Sequence, residues 1–77
     1  MSSAPNENGR NWAQREFARR LRTLRQRAGY TQGKLADKIG VIRTTVVNME
    51  SGRWGVDFWN AVKLRRALRC TWNELMP

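Results

Sequence analysis

TQGKLADKIGVIRTTVVNMESG, residues 31–52, is the stretch that decides the fold. Apolar residues recur at three- and four-residue steps on both sides of Gly40: Leu35, Ala36 and Ile39 precede it, and Ile42, Val46 and Met49 follow it. Such steps place side chains on one face of a helix. Gly40 falls where the first of these helices must end, because glycine readily adopts the positive φ of a C-cap. The stretch therefore predicts two short amphipathic helices joined by a tight turn, a helix-turn-helix.

The outward face of the second of these helices carries few charges and many hydrogen-bonding groups. Its members are Arg43, Thr44, Val47, Asn48 and Ser51. A merely solvated helix more often carries Lys and Glu there. In a DNA major groove, Arg binds guanine and Asn binds adenine through two hydrogen bonds each, Thr serves several bases, and Val contacts a thymine methyl group. We therefore take Arg43, Thr44, Val47 and Asn48 as candidate DNA base contacts.

The same stretch resembles the helix-turn-helix of phage repressor and Cro-type proteins, the XRE family. The residues that carry the resemblance are Gln32, Leu35, Ala36, Gly40, Val41, Val46, Met49, Glu50 and Gly52. It extends backward through FARRLRTLRQRAGYTQ and forward through LRRALRCTWNEL, and so covers residues 17–76. The resemblance implies an all-α fold, a compact five-helix repressor-like domain that binds double-stranded DNA and regulates transcription.

The family also implies a mode of action. Helix 3 enters the major groove, and a homodimer reads an inverted-repeat operator. Repression by blocking polymerase is the simplest outcome, and activation through contact with RNA polymerase uses the same fold. Controller proteins of restriction–modification systems and antitoxins share this family, so the resemblance leaves the biological setting open.

Further site residues follow from the resemblance. The DNA backbone contacts it implies are Gln32, Lys34, Thr45, Ser51 and Arg53. For Gln32 the alternative is an exposed glutamine in the first turn of helix 2. Arg25 of helix 1 is expected to form a partly buried ion pair with Glu50, the only acid of helix 3. A free carboxylate at Glu50 would otherwise repel nearby phosphates.

Large apolar residues in the second half of the chain have two readings. Trp54, Trp59, Trp72 and Met76 either pack against the monomer core or form a two-fold dimer contact. A chain of this length buries only about 60% of its unfolded surface, so help from a dimer partner is expected.

Capping residues and composition changes predict the element boundaries. Residues 1–10 are small and polar and predict a flexible N-terminal arm, and residues 11–77 predict the helix-turn-helix DNA-binding domain. Asn11 is expected to cap a first helix over residues 12–28. The expected caps of helices 2, 4 and 5 are Thr31, Asp57 and Thr71.

Two positions of the later helices carry specific expectations. Ile42 stands where many relatives have a capping Ser, Thr or Asp, so helix 3 is expected to begin irregularly or to rely on Thr44 or Thr45. Phe58 and Leu68 of helix 4 are expected in the core.

Composition limits the classes of function. Fifteen Lys and Arg against six Asp and Glu give a net charge of +9, which favours nucleic acid as a partner over an anionic membrane. The chain has one cysteine, Cys70, and no histidine, which excludes an intramolecular disulfide, multi-cysteine zinc sites and histidine-dependent catalysis. No stretch approaches the ~20 apolar residues of a membrane span. We expect a cytoplasmic protein, in the bacterial nucleoid or a phage-infected host, that is no enzyme and needs no metal or cofactor.

Two rival functions remain open at this stage. One is an antitoxin-like protein-interaction module whose helix-turn-helix no longer reads DNA, against which the positive charge argues. The other is a non-specific, architectural DNA binder. Salt dependence of binding separates the first rival from an operator-binding protein, and mutation of base-reading residues separates the second.

Overall fold

Five α-helices follow one another in the computed structural model, which describes residues 4–53 and 55–77, with side chains from residue 11 onward. They are α1 (Ala4–Arg27), α2 (Gln32–Ile39), α3 (Arg43–Ser51), α4 (Phe58–Leu68) and α5 (Trp72–Leu75). The described residues contain no strand. This architecture confirms the prediction of an all-α, five-helix fold. None of these helices is long and apolar enough to cross a membrane.

Most helix ends follow local sequence signals. The side chains of Thr31, Asp57 and Thr71 each accept a hydrogen bond from the backbone N–H three residues later, which satisfies a donor that the first turn leaves unpaired. Gly40 ends α2 with φ 73°, a left-handed conformation that glycine adopts without steric cost. These four predicted boundaries are confirmed.

The start of α1 differs from the prediction. The helix begins at Ala4, so Asn11 lies inside it and the prediction that Asn11 caps a helix starting at residue 12 is wrong. Pro5 is compatible with this start, because a proline in the first turn lacks only an N–H that has no intrahelical acceptor. Residues 1–3 of the predicted arm lie outside the described residues, and the flexibility of residues 1–10 stays a prediction.

Every helix contributes to one core. The fully buried side chains, one from each helix in turn, are Leu21, Leu35, Val46, Leu64 and Leu75, each 0% exposed. Burying a Leu or Val side chain of this kind contributes roughly 1.5–3 kcal/mol relative to leaving it in water. Because α3 is buried through Val46 and its neighbour Met49, the opposite face of this helix is turned to solvent.

Two apolar residues predicted on inner faces lie at the surface instead. Ile42 is 71% exposed because its backbone is extended (φ −79°, ψ 156°), so its side chain does not continue the helical stripe. Phe58 is 77% exposed, and its prediction as a core residue is wrong. It opens α4, and helical Cβ atoms tilt toward the N-terminus, which carries this ring beyond the end of the core.

Candidate nucleic-acid interface

The outward face of α3 holds the four candidate base-contact residues. Arg43 and Thr44 are exposed in the first turn, and Val47 and Asn48 are half-buried one turn later. Ile42, at the N-cap, makes no side-chain capping hydrogen bond, so neither a cap nor an acid covers the first turn of this helix. Its unpaired backbone N–H groups carry a partial positive charge that suits an anion such as phosphate.

Gln32 connects the start of α2 to the start of α3. Its Oε1 accepts a hydrogen bond from Arg43 Nη2 at 3.2 Å, and its Nε2 donates to Glu50 Oε1 at 3.1 Å. The amide can serve both partners because it has an acceptor and two donors. The sequence analysis predicted a DNA backbone contact for Gln32, with an exposed glutamine as the alternative, and did not predict these two hydrogen bonds. No local pattern indicates this bridge, because its partners lie 11 and 18 residues away.

Glu50 is the centre of a buried polar network. Its side chain is 3% exposed, and Arg25 donates to it from Nε at 2.6 Å and from Nη2 at 3.0 Å. Arg25 also donates to the Tyr30 carbonyl at 2.9 Å, and Arg22 donates to the Glu50 carbonyl at 3.0 Å. A carboxylate buried this deeply requires such pairing, since an unpaired buried charge is strongly destabilising. The network therefore joins α1, the turn after it and α3 in one arrangement.

The candidate phosphate-contact residues lie on α2, on α3 and directly after α3. Lys34 and Arg53 are exposed, and Thr45 is half-buried. Ser51 Oγ donates to the Asn48 carbonyl at 2.7 Å and accepts from the Arg53 N–H at 3.2 Å. The hydroxyl has only one proton to donate. In this conformation Ser51 therefore holds the end of α3 and has no proton left for a phosphate oxygen.

Several arginines of α1 are occupied within the protein. Arg19 and Arg20 both donate to Glu16, and these hydrogen bonds lower the pKa of Glu16 to about 2. Arg20 also donates to the carbonyls of Asn73 and Met76, at 3.0 and 2.7 Å, and so attaches α5 to α1. Arg19 and Arg20 are therefore paired within the protein, and the part of α1 that carries them is not a free basic surface.

A second group of exposed residues is apolar and lies on α4, on α5 and directly after α5. Its large exposed residues are Phe58 (77%), Trp59 (64%), Trp72 (39%) and Met76 (37%). The Phe58 and Trp72 rings stack with centroids 6.5 Å apart, and the Arg65 guanidinium lies 5.3 Å from the centre of the Trp72 ring. We call these four exposed residues the aromatic patch. Of the predicted dimer contacts, Trp59, Trp72 and Met76 belong to it, whereas Trp54 lies outside the described residues.

Comparison with known proteins places this geometry in a family. A family model described as a helix-turn-helix domain matches residues 16–74. An uncharacterised HTH-type transcriptional regulator of Methanothermobacter thermautotrophicus is 38% identical over 48 residues, which are 62% of this chain and 70% of the relative. A second one, from Archaeoglobus fulgidus, is 36% identical over 56 residues, 73% of this chain and 80% of the relative.

Two solved structures have the same fold. The restriction-modification controller protein C.AhdI from Aeromonas hydrophila superposes with a TM-score of 0.80 at 35% identity, over 86% of this chain and 96% of the other. The hypothetical transcription factor NHTF from Neisseria superposes with a TM-score of 0.77 at 30% identity, over 84% of this chain and 76% of the other.

Proposed function

The chain belongs to the helix-turn-helix domain family and is a DNA-binding, non-enzymatic transcriptional regulator, and on this premise we propose that it recognises a specific duplex sequence through α3. The observation that carries the proposal is the outward face of α3. This face is exposed at its first turn, bears one cation and no acid, and presents an amide, a hydroxyl and an aliphatic group within two turns. Those groups match the different donors, acceptors and methyl groups on base edges in the major groove.

Each residue of this face has a proposed role. Arg43 binds the O6 and N7 atoms of a guanine, and Asn48 binds the N6 and N7 atoms of an adenine. Thr44 donates or accepts at a neighbouring base, and Val47 contacts a thymine methyl group. The hydrogen bond from Arg43 to Gln32 supports this assignment, because it directs the guanidinium from the side of α2 and reduces the number of conformations it samples.

Phosphate contacts hold the protein on the duplex. We assign them to Lys34 and Arg53, whose exposed side chains carry positive charge, with Gln32 and Thr45 as hydrogen-bond donors near the groove edge. Ser51 contributes by ordering the Arg53 backbone, or directly once its bond to Asn48 opens. Such contacts add affinity without reading sequence.

We further propose that two copies pair through the aromatic patch. Large exposed apolar residues commonly mark a protein–protein contact, and the patch combines three aromatic rings, two of them stacked, with Met76. A two-fold dimer would place its two α3 helices in successive major grooves on one face of the DNA, ~34 Å apart. The operator is then an inverted repeat.

Repression is the proposed outcome, because a dimer on an operator overlapping a promoter excludes RNA polymerase. The likeness to C.AhdI makes genes of a restriction–modification system a natural first set of targets. Activation through contact with RNA polymerase is the alternative outcome, and a reporter with the operator moved upstream of the promoter distinguishes the two.

Selection of binding sites from random duplex DNA tests the proposal. We expect enrichment of an inverted repeat whose half-site centres lie about one helical turn apart. A single unrepeated half-site would refute the symmetric dimer and keep the reading role of α3. Absence of any enrichment, despite DNA binding that salt abolishes, would refute sequence-specific recognition and favour an architectural role.

A pair of variants separates base reading from phosphate binding. Asn48→Ala should cost ~1–3 kcal/mol on the selected operator, concentrated at one base position, and should lose little on random DNA. Arg53→Ala should weaken binding to both DNAs alike and lower the slope of log K against log salt by about one. Equal losses of Asn48→Ala on operator and random DNA would exclude Asn48 as a base-reading residue.

A further inference from the structure

A basic groove lies between the end of α2 and the second half of α4. Its volume is about 370 Å³. Four cationic side chains, one aromatic ring and one methyl group line it, namely Lys38, Lys63, Arg66, Arg69, Tyr30 and Ala67. No carboxylate is among these lining residues. The concave shape brings like charges together, which is unfavourable unless an anion joins them.

A second groove of similar size provides an internal comparison. It has a volume of about 330 Å³ and is also lined by arginines, Arg19, Arg20 and Arg27. Each of these has an anionic partner within the protein, because Glu16 accepts from the first two and Glu74 from the third. Among the described residues, no carboxylate lies within ion-pair distance of the four cations of the basic groove. Lys38 instead places its ammonium group over the face of the Tyr30 ring, 5.7 Å from the ring centre.

Arg69 occupies the groove at a conformational cost. It ends α4 with φ 52° and is the one residue other than glycine with a positive φ among the described residues. Gly40 takes the equivalent position at the end of α2. A side chain in the left-handed region costs free energy that glycine avoids. Arg69 thus places a guanidinium beside the groove where the helix end by itself favours glycine.

We propose that the basic groove binds the phosphate oxyanions of a compact polyphosphate. Guanidinium groups bind phosphate oxygens through paired, charge-assisted hydrogen bonds, and lysines add positive charge without fixed direction. The groove size matches small-ligand sites. Arg66 and Arg69 lie near the end of α4, an 11-residue helix that extends ~16 Å from the loop after α3. None of the candidate base contacts, Arg43, Thr44, Val47 and Asn48, is among the residues that line the groove.

Titration with sodium tripolyphosphate at constant ionic strength, followed by amide chemical shifts, tests the site. The shifts should concentrate at residues lining the basic groove. Lys63→Ala/Arg66→Ala should weaken the apparent Kd about tenfold or more, since two charge-assisted bonds are lost. Arg19→Ala, which removes a cation from the comparison groove, should change it less than about twofold. Equal weakening by both variants, or shifts spread evenly over the surface, would overturn the proposal.

Measuring DNA binding of the same double variant identifies the source of the phosphate. If Lys63→Ala/Arg66→Ala keeps the DNA affinity and salt slope of the unsubstituted protein while losing tripolyphosphate, the ligand is a free polyphosphate, as proposed. If the variant loses DNA affinity and salt slope in the way expected for Arg53→Ala, the groove holds phosphates of a DNA duplex, and the assignment to a free ligand is wrong.

Arg69→Gly is a second variant, which removes a cation from the groove without destabilising the fold. Because glycine relieves the positive φ, we expect the melting temperature to rise by about 4–8 °C. Tripolyphosphate affinity should fall at the same time, since the guanidinium is gone. If Arg69→Gly raises the melting temperature and leaves the tripolyphosphate affinity unchanged, Arg69 does not bind the ligand, and its assignment to the site is wrong.

Discussion

Arg25→Met tests whether the buried network around Glu50 holds α3 in position. The substitution keeps an aliphatic side chain of similar length in α1. It removes the two hydrogen bonds to the Glu50 carboxylate, at 2.6 and 3.0 Å, and the bond to the Tyr30 carbonyl, at 2.9 Å. Gln32 remains, with one bond of 3.1 Å. The Glu50 side chain, 3% exposed, would then be a charge without a counter-ion. Methionine keeps the packing of the aliphatic part of Arg25. The loss of the positive charge beside Glu50 is therefore the main change.

The expected loss is large for a domain of this size. Removing one partner of a buried ion pair costs about 3–5 kcal/mol, against a total unfolding free energy of roughly 4–12 kcal/mol for 77 residues. The exposure of the Arg25 side chain, 12%, places the result toward the lower part of that range. At roughly 4–8 °C per kcal/mol, the melting temperature should fall by at least ~12 °C.

Circular dichroism at several urea concentrations and temperatures measures the effect, at one protein concentration throughout because dimerisation would shift the transition. Arg27→Met is the matched control, since it removes an arginine from the same helix whose partner, Glu74, is 42% exposed. Its melting temperature should stay close to that of the unsubstituted protein. The double variant Arg25→Met/Glu50→Met should be more stable than Arg25→Met, because it removes the isolated charge.

Two results would refute the reasoning. If Arg25→Met melts within about 4 °C of the unsubstituted protein, the ion pair does not stabilise the fold appreciably. Glu50→Met alone completes the cycle: if the double variant is destabilised by the sum of the two single changes, Arg25 and Glu50 are energetically independent despite their contact.

Three further predictions concern backbone conformation, acid stability and assembly. Gly40→Ala should destabilise by ~1–2 kcal/mol in urea unfolding because φ is 73°, whereas Gly33→Ala inside α2 should stabilise by roughly 0.5–1 kcal/mol. The folded-state pKa of Glu16, about 2, lies below its ordinary value of 4.5, so its stabilising contribution is present above pH 4.5 and lost as the pH falls toward 2. Glu16→Gln should therefore flatten the decline of the melting temperature over that pH window. Trp59→Lys should shift the sedimentation coefficient toward that of the monomer. Trp12→Lys is the control, because it makes the same substitution at an exposed tryptophan outside the aromatic patch, and it should leave the sedimentation coefficient unchanged.

Each of these has a contrary outcome. Destabilisation by Gly33→Ala would show that its Cβ, 3.9 Å from the Arg43 side chain, is not tolerated. An unchanged acid transition in Glu16→Gln would mean that the arginine bonds to Glu16 do not contribute to stability. Equal dissociation by both tryptophan variants would move the dimer surface away from the aromatic patch.

The sequence by itself determined the helix-turn-helix and most helix ends. Capping by Thr31, Asp57 and Thr71, the turn at Gly40 and the apolar steps on either side of it all depend on residues within four positions of one another, which local sequence contains. The predicted start of α1 was wrong. Asn11 is a good capping residue, but it can also lie inside a helix when the residues before it adopt helical backbone.

Tertiary structure alone decided the polar connections and the surfaces. Gln32 reaches Glu50 and Arg43 because α2 and α3 cross closely, and no pattern along the chain encodes the angle of that crossing. The exposure of Phe58 depends on where α4 extends past its neighbours, although helical spacing favours the core. The basic groove likewise joins residues from the turn before α2, its last turn and α4. Periodicity states which side chains share a face, and only the packing of helices determines what that face contacts.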